Sequence, residues 1–227
     1  MLKAVIFDFD GVICDSEALH YRALNTVFNR YGVNVSKEHH WDTYLGLTDV
    51  ENIEAVNRDY KMGLDAAGVQ RLKAEKKDVF DALASTERLL IDGVESFVAM
   101  LTEQGIRRAI CSGAVRSDID LMLGGTRLAE AFEVIVTADD VAKGKPDPEG
   151  YRLALEKLNA SGQNTVNPAE CVVIEDSHWG IEAARAAGMC PVAVTNTYSR
   201  EQLEDKAELV LERIDLVSVE QLQQMCR

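Results

Sequence analysis

The chain has 227 residues, of which 47% are hydrophobic and 27% charged, a composition typical of a globular protein with a substantial core. Its net charge of −14 argues against nucleic acid and membrane surfaces as partners, because both are bound through Lys and Arg. Five cysteines without a C-x-x-C pair predict free thiols, and the lack of a signal-peptide pattern or a long apolar run predicts a soluble, cytoplasmic protein.

The first predicted strand covers residues 3–7 and opens the stretch VIFDFDGVICDSE. Directly after it, Asp8 and Asp10 point to the same side of an extended backbone. Two carboxylates this close repel each other unless a cation lies between them or one stays protonated. The pair therefore indicates chemistry rather than a role in folding.

Helical patterns replace strand patterns in the next segment. Amphipathic helices are predicted over residues 16–32, 48–61 and 65–84. A purely helical insertion after the first strand predicts a second domain over residues 16–90, with the core formed by 1–15 and 91–227. Since the chain leaves from the end of the first strand, we expect this second domain above the carboxyl edge of the sheet.

The remaining chain alternates short apolar strands with helices. Strands are predicted at 107–112, 132–138, 171–176 and 190–196, and helices at 93–105, 148–160 and 178–188. Continuous apolar runs are typical of strands that are covered on both faces. The prediction is an α/β fold with a doubly wound, Rossmann-like parallel sheet and right-handed crossovers.

Polar side chains follow four of the predicted strands, and ligands of open α/β sheets bind at the carboxyl ends of the strands. A carboxylate there can attack phosphorus, and a second carboxyl can protonate the leaving oxygen and then activate water. Mg²⁺ prefers hard oxygen ligands, which explains how several acids share one pocket, and Ser112 and Lys145 would hold the phosphoryl oxygens. The side chains are Asp8, Asp10, Ser112, Lys145, Glu175 and Asp176.

Four segments, DFDGVICDSE, CSGA, KGKPDP and VIEDSHWGIEAARAAG, resemble in order the four motifs of the haloacid dehalogenase superfamily, and the resemblance covers the whole chain. The insertion is similar to the small helical cap of this family, and the closest likeness is to the β-phosphoglucomutase-like phosphatases. The resemblance implies Asp8 as nucleophile and metal ligand, Asp10 as general acid/base with its backbone carbonyl on the metal, Ser112, Gly113 and Lys145 as phosphate-binding residues, and Asp176 with Glu175 completing the Mg²⁺ site.

Two positions bear on the branch of the superfamily. The dehalogenases lack the second aspartate, so Asp10 favours phosphate chemistry. In the mutases, a cap loop resembling residues 44–52 carries an arginine that holds a distal phosphate, and Asp49 stands at the position we align with it. An acid there predicts repulsion of a second phosphate, which favours a phosphatase acting on monophosphates.

Four further residues are assigned from their surroundings. His20 resembles a residue that mutases keep near the hinge, with a structural or a substrate-orienting role. Arg116 either reaches the phosphate end of a substrate or only begins a helix. Lys76 and Lys77 lie in a charged helix and are predicted to face solvent, with substrate contact as the alternative.

The resulting hypothesis is a Mg²⁺-dependent phosphatase that hydrolyses a small phosphorylated metabolite, of the sugar phosphate or phosphoglycolate type, through an aspartyl-phosphate. One alternative is a sugar-phosphate mutase with the same fold. Another is a phospho-accepting signalling module, in which strand-end acids also pair with a lysine. In such receivers, however, the phosphorylated Asp follows a middle strand of the chain, and a helical insertion would have no purpose. The sequence leaves the substrate and the oligomeric state open.

Overall fold

The computed structural model describes residues 1–45, 47–87, 89–161 and 164–226. The chain divides into two compact units, Met1–Asp15 with Leu89–Arg227 and, between them in sequence, Ser16–Arg88. Within the described ranges, no helix is both long enough and apolar enough to cross a membrane. The cysteines at positions 14, 111, 171, 190 and 226 are free thiols, as predicted.

The first unit is built on a six-stranded parallel sheet with the strand order β3-β2-β1-β4-β5-β6. The strands are β1 (Ala4–Phe7), β2 (Arg107–Cys111), β3 (Val134–Val136), β4 (Cys171–Glu175), β5 (Cys190–Val194) and β6 (Leu209–Leu211). Ala4 of β1 lies opposite Arg107 on one side and Cys171 on the other. The predicted fold class is confirmed, and one strand, β6, was not predicted.

Ten α-helices are found in the described part of the chain. They are α1 (Glu17–Phe28), α2 (Lys37–Thr43), α3 (Asp49–Tyr60), α4 (Ala66–Thr86), α5 (Val94–Glu103), α6 (Arg116–Leu123), α7 (Glu149–Ser161), α8 (His178–Ala186), α9 (Arg200–Leu203) and α10 (Val219–Met225). The first four belong to the second unit, and the other six belong to the first.

Helices cover both faces of the sheet, which the alternation of side chains along β1 makes visible. Ile6 packs in the cluster formed with α7 and α8. Phe7 points to the opposite face, where its ring centroid lies 5.9 Å from that of Phe97 in α5. This double coverage explains the continuous apolar runs of the strands. It also leaves the ends of the strands as the place where polar side chains gather.

The second unit packs α1, α3 and α4 around an apolar cluster that includes Phe28, Ile53 and Leu72. Lys76 of α4 lies inside this unit with 1% of its surface exposed, so the prediction that it faces solvent was wrong. Its position follows Leu72 by four residues, which places it on the buried stripe of the helix. Lys77, one residue further, is partly exposed and pairs with an acid of the same helix.

Candidate active site

Asp8 lies directly after β1, and 7% of its surface is exposed. Its backbone N–H donates to the carbonyl of Ile174 in the neighbouring strand at 2.9 Å, which fixes the backbone that carries the side chain. Lys145 Nζ lies 2.5 Å from Asp8 Oδ1 and 2.6 Å from Glu175 Oε1. The ammonium group therefore bridges two carboxylates that would otherwise repel each other.

Asp10 and Ser112 meet at the ends of two adjacent strands, β1 and β2. Ser112 Oγ donates to Asp10 Oδ2 at 3.2 Å, and it accepts from the backbone N–H of Ala114 at 2.9 Å. A cavity of about 240 Å³ opens beside Ser112, Gly113 and Lys145. Ser112 and Lys145 each contact one of the two acids, but neither Asp8 nor Asp10 is among the residues that line this cavity.

Glu175 is enclosed completely, with none of its surface exposed. Its Oε1 accepts from Lys145 Nζ and, at 2.8 Å, from the hydroxyl of Tyr151. Its Oε2 accepts from the backbone N–H groups of Asp176 and Ser177 and from the Ser177 hydroxyl. With both oxygens engaged in this way, Glu175 acts foremost as the residue that holds Lys145 and the start of α8 in place.

The pKa values of these groups show how burial and pairing compete. Burial raises the pKa of Asp8 to about 7, although Lys145 opposes the shift. Burial also acts to raise the pKa of Glu175, but the attraction of Lys145 and its hydrogen bonds outweigh burial and keep that pKa below its usual value. The pKa of Asp176 is raised by burial and by the nearby Glu175 and Asp8. Burial acts to lower the pKa of Lys145, but Asp8 and Glu175 raise it well above its usual value, so the ammonium group stays charged.

The donor set fits a divalent cation. Among the described residues, Asp8, Glu175 and Asp176 each offer an oxygen, and these oxygens lie within 4.8 Å of one another. Hard carboxylate oxygens are the ligands that Mg²⁺ prefers. A cation would also offset the burial and the repulsion between carboxylates that raise the pKa values of Asp8 and Asp176. Because Glu175 is already saturated with hydrogen bonds, Asp8 and Asp176 are the better direct ligands.

Gly11 shows how tightly the turn after Asp10 packs against this cluster. Its φ is +76°, and a Cβ at this position would lie 1.8 Å from Asp176 Oδ2 and 2.8 Å from Thr197 Oγ1. Only glycine adopts this conformation and permits this approach without strain. The glycine of the first motif therefore brings the backbone that follows Asp10 into contact with Asp176.

Two further residues that the sequence analysis named are Arg116 of the first unit and His20 of the second. Arg116 begins α6, and its side chain, about half exposed, pairs with Asp120 at 2.8 Å; the described residues show no contact between it and the cluster. His20 belongs to the second unit. Its ring stacks on Phe80 with 4.4 Å between the centroids, and Lys76 Nζ lies 2.6 Å from His20 Nδ1.

The sequence analysis did not predict three residues of the site. The Tyr151 hydroxyl reaches Glu175, the Thr197 hydroxyl donates to Asp176 Oδ2, and Asn196 Nδ2 donates to the Gly11 carbonyl at 2.8 Å. The sequence places Tyr151 in a predicted helix and does not indicate its contact with Glu175. Asn196 lay at the end of the segment predicted as the fifth strand, which ends two residues earlier at Val194.

A strand-end aspartate that a lysine links to a second acid, with a third acid beside them, is an arrangement suited to forming and breaking bonds to phosphorus. Residues 5–194 match the family of haloacid dehalogenase-like hydrolases, and the chain belongs to this family. The membership confirms the resemblance carried by the four motifs. It also assigns the chain to hydrolases rather than to receiver-like signalling modules.

Similarity to curated proteins extends over most of the chain. The "Phosphorylated carbohydrates phosphatase" of Thermotoga maritima is 32% identical over 83% of this chain and 82% of its own length. Further relatives also carry phosphatase names. These relatives confirm the predicted enzyme class, a phosphoric monoester hydrolase of the haloacid dehalogenase type.

Two solved structures resemble this chain over nearly its whole length. β-Phosphoglucomutase from Clostridium difficile has a TM-score of 0.81 and 25% identity, and the match covers 99% of this chain and 97% of that one. CbbY from Rhodobacter sphaeroides, in complex with xylulose-(1,5)bisphosphate, has a TM-score of 0.77 and 26% identity, with 95% and 96% covered. The neighbours thus include both a mutase and a protein that binds a sugar bisphosphate.

Proposed function

We propose that the protein is a Mg²⁺-dependent phosphatase that hydrolyses monophosphate esters of small, carbohydrate-like metabolites through an aspartyl-phosphate on Asp8. The observation that supports it most directly is the position of Lys145 Nζ between Asp8 and Glu175, with Asp176 in the same cluster. In this arrangement the nucleophile is buried, oriented and partly charge-compensated before substrate binds. We further propose that residues 16–90 act as a cap that selects the substrate.

The first half of the reaction forms the phosphoenzyme. An Asp8 carboxylate oxygen attacks phosphorus, and the bond between phosphorus and the ester oxygen breaks as the new one forms. Asp10, held by Ser112, donates a proton to the departing alcohol oxygen. Ser112 and Lys145 donate to the oxygens of the transferring phosphoryl group.

The second half returns the enzyme to its starting state. Asp10 accepts a proton from water, which attacks phosphorus and releases inorganic phosphate together with the free Asp8 carboxylate. Asp8, Asp176 and the Asp10 carbonyl would hold Mg²⁺, which would supply charge neutralisation for the phosphoryl oxygens. Lys145 keeps the side chain of Asp8 oriented in both halves.

A sugar-phosphate mutase is the second candidate, because β-phosphoglucomutase is among the structural neighbours. A mutase must retain a bisphosphate long enough to turn it around. Asp49, which we align with the mutase arginine, lies 2.6 Å from Lys76 Nζ, so the two side chains form a pair without net charge. This pair attracts a second phosphate less than an arginine would, which favours hydrolysis. The pairing also means that the repulsion expected of Asp49 is largely compensated by Lys76.

The test is a panel of sugar monophosphates, phosphoglycolate and sugar bisphosphates, incubated with Mg²⁺ and, in parallel, with EDTA. Free phosphate and isomerised sugar phosphate are followed in the same samples. We expect phosphate release that requires Mg²⁺ and exceeds isomer formation. Isomer formation that outpaces phosphate release, with glucose 1-phosphate and a bisphosphate primer, would show a mutase instead. Full activity after thorough chelation would contradict the role of the metal.

A further inference from the structure

The loop that follows β5 contacts the acidic cluster through Asp176, and no motif of the sequence analysis includes it. It covers residues 195–199, between the end of β5 and the start of α9. Its first residue, Thr195, donates its backbone N–H to the carbonyl of Leu211 at the end of β6 at 2.9 Å. The loop is therefore anchored to the sheet before it meets the site.

The next residue fixes the turn that carries Asp10. Asn196 Nδ2 donates to the carbonyl of Gly11 at 2.8 Å, and the backbone N–H of Gly11 donates to the carbonyl of Cys14 at 2.8 Å. The N–H and C=O groups of a trans peptide point in opposite directions. The bond to Cys14 thus orients the Asp10 carbonyl, and the bond from Asn196 holds the peptide after it.

Thr197, the next residue of the loop, contacts the acid Asp176. Its hydroxyl donates to Asp176 Oδ2, and Asp176 has only 4% of its surface exposed. A carboxylate that is held through one oxygen presents the other in a fixed direction. The close approach of Gly11 to both Asp176 Oδ2 and Thr197 Oγ1 shows that these three groups pack as one unit.

We propose that Asn196 and Thr197 are positioning residues for the Mg²⁺ site. Thr197 fixes the rotamer in which Asp176 presents its other carboxylate oxygen to the cation. Asn196 holds the turn at Gly11, next to the Asp10 carbonyl that completes the ligand set. Hydrogen-bond partners behind metal ligands typically change metal affinity 10- to 100-fold when removed. This inference rests on the proposed function, since it assumes that the cluster binds Mg²⁺.

The central experiment compares Thr197→Val, which keeps the shape of the side chain but removes the hydroxyl, with Thr197→Ser, which retains the hydroxyl. Mg²⁺ affinity is measured without substrate, by titration calorimetry and by the rise in melting temperature with Mg²⁺ concentration. We expect Thr197→Val to weaken Mg²⁺ binding about 10- to 100-fold. Thr197→Ser should stay within about threefold of wild type, and Asn196→Ala should weaken binding about 3- to 10-fold.

Gln202→Ala is the matched control, because it removes a hydrogen bond of the same loop, from the Ser199 N–H to Gln202 Oε1, without touching the acids. It should lower the melting temperature in EDTA and leave Mg²⁺ affinity unchanged. Asn196 is exposed, so Asn196→Ala carries the test if Thr197→Val does not fold.

Two results overturn the inference: a folded Thr197→Val protein with wild-type Mg²⁺ affinity, or Thr197→Ser that is as impaired as Thr197→Val. If Thr197→Val does not fold, wild-type affinity in Asn196→Ala overturns it. Asp176→Ala separates this failure from that of the proposed function. Wild-type affinity in Asp176→Ala, or no Mg²⁺ binding by the wild type, contradicts the metal site itself. Lost binding in Asp176→Ala beside intact binding in Thr197→Val contradicts only the role of the loop.

Discussion

Asp8 is buried next to the lysine that would orient it, and its charge is the one that the proposed reaction consumes and regenerates. Replacing it with asparagine leaves the size of the side chain unchanged, but an amide cannot attack phosphorus to form the intermediate. We expect Asp8→Asn to lower phosphate release by about 10³-fold or more while the protein remains folded. Steady-state phosphate release, with circular dichroism as the control for folding, tests this. Activity within tenfold of wild type would remove Asp8 as the nucleophile.

Tyr151 is the residue whose contribution is easiest to isolate, because phenylalanine differs from it only by the hydroxyl. That hydroxyl donates to Glu175 Oε1 inside the protein. Tyr151→Phe should lower the free energy of unfolding by about 1–2 kcal/mol, the cost of a buried hydrogen bond, and should lower kcat, since Glu175 holds Lys145 less firmly. Urea denaturation and steady-state kinetics measure the two effects.

Tyr21→Phe provides a control for Tyr151→Phe. The Tyr21 hydroxyl donates to the carbonyl of Val35 in the second unit, so the same chemical change removes a hydrogen bond there. We expect a loss of stability without a change in kcat. Equal effects of both substitutions on kcat would show that Tyr151 acts through general stability rather than through Glu175.

At the level of single residues, the strand-end side chains were predictable because parallel strands place their carboxyl ends along one edge of the sheet. Asp8, Ser112, Lys145 and Asp176 follow from strand positions alone. Thr197 was not predictable in this way, because its partner Asp176 lies in a different loop and hydroxyl residues are common in loops. Which hydroxyl meets which acid is decided by how β4 and β5 align, and only the structure shows that.

Helix α4 contains the buried charge of Lys76, which pairs with Asp49 of α3. The burial of each partner determines how much its substitution lowers the stability of the unit Ser16–Arg88. The Lys76 side chain is 2% exposed, whereas the Asp49 side chain is 28% exposed. Asp49→Asn leaves the buried ammonium without its counter-charge and should cost about 3 kcal/mol in unfolding free energy. Lys76→Met leaves an aspartate that water can still reach and should cost about 1 kcal/mol.

Chemical denaturation of both variants and of the double variant measures this asymmetry and the coupling between the two side chains. Lys77→Met is the matched control, since Lys77 is partly exposed and pairs with Asp81, an equally exposed acid of the same helix. It should change stability by less than about 0.5 kcal/mol. A larger cost for Lys76→Met than for Asp49→Asn would contradict the reasoning from burial.

The same helix shows where sequence patterns mislead. Lys76 was expected to face solvent because its neighbours in sequence are charged, yet the spacing from Val69 through Leu72 to Phe80 places it on the apolar stripe. Lysine is almost never fully buried unless it is paired, and the pair with Asp49 is not visible from sequence. The periodic elements were predictable, whereas the burial of a charge depends on a partner from another helix.

For the whole molecule, the acidic cluster makes stability depend on pH when no metal is present. The pKa of Asp8 is raised from 3.8 to about 7, so the folded state favours the protonated carboxyl. The stability that this protonation contributes is present below pH 4 and is lost as the pH rises through about 7. Asp176, whose pKa is also raised, acts in the same direction.

We therefore expect the protein in EDTA to lose stability between pH 5 and pH 8 relative to Asp8→Asn, which does not titrate there. The difference should reach a few kcal/mol at pH 8, because one pKa unit corresponds to about 1.4 kcal/mol. Mg²⁺ should stabilise the wild type more at pH 8 than at pH 5, since its ligands must be deprotonated. Denaturation curves at both pH values test this, and parallel pH profiles of the two proteins would contradict it.

The central place of β1 in the sheet has a consequence for how the chain is made on the ribosome. β1 is synthesised first, but its neighbours β2 and β4 are residues 107–111 and 171–175. Until Glu175 has emerged, this fully buried strand has an uncovered edge that invites aggregation. The intervening unit has its own apolar cluster and is synthesised completely before β2 and β4. Nascent chains arrested before β4 should therefore depend on chaperones, although the whole helical unit has already been synthesised.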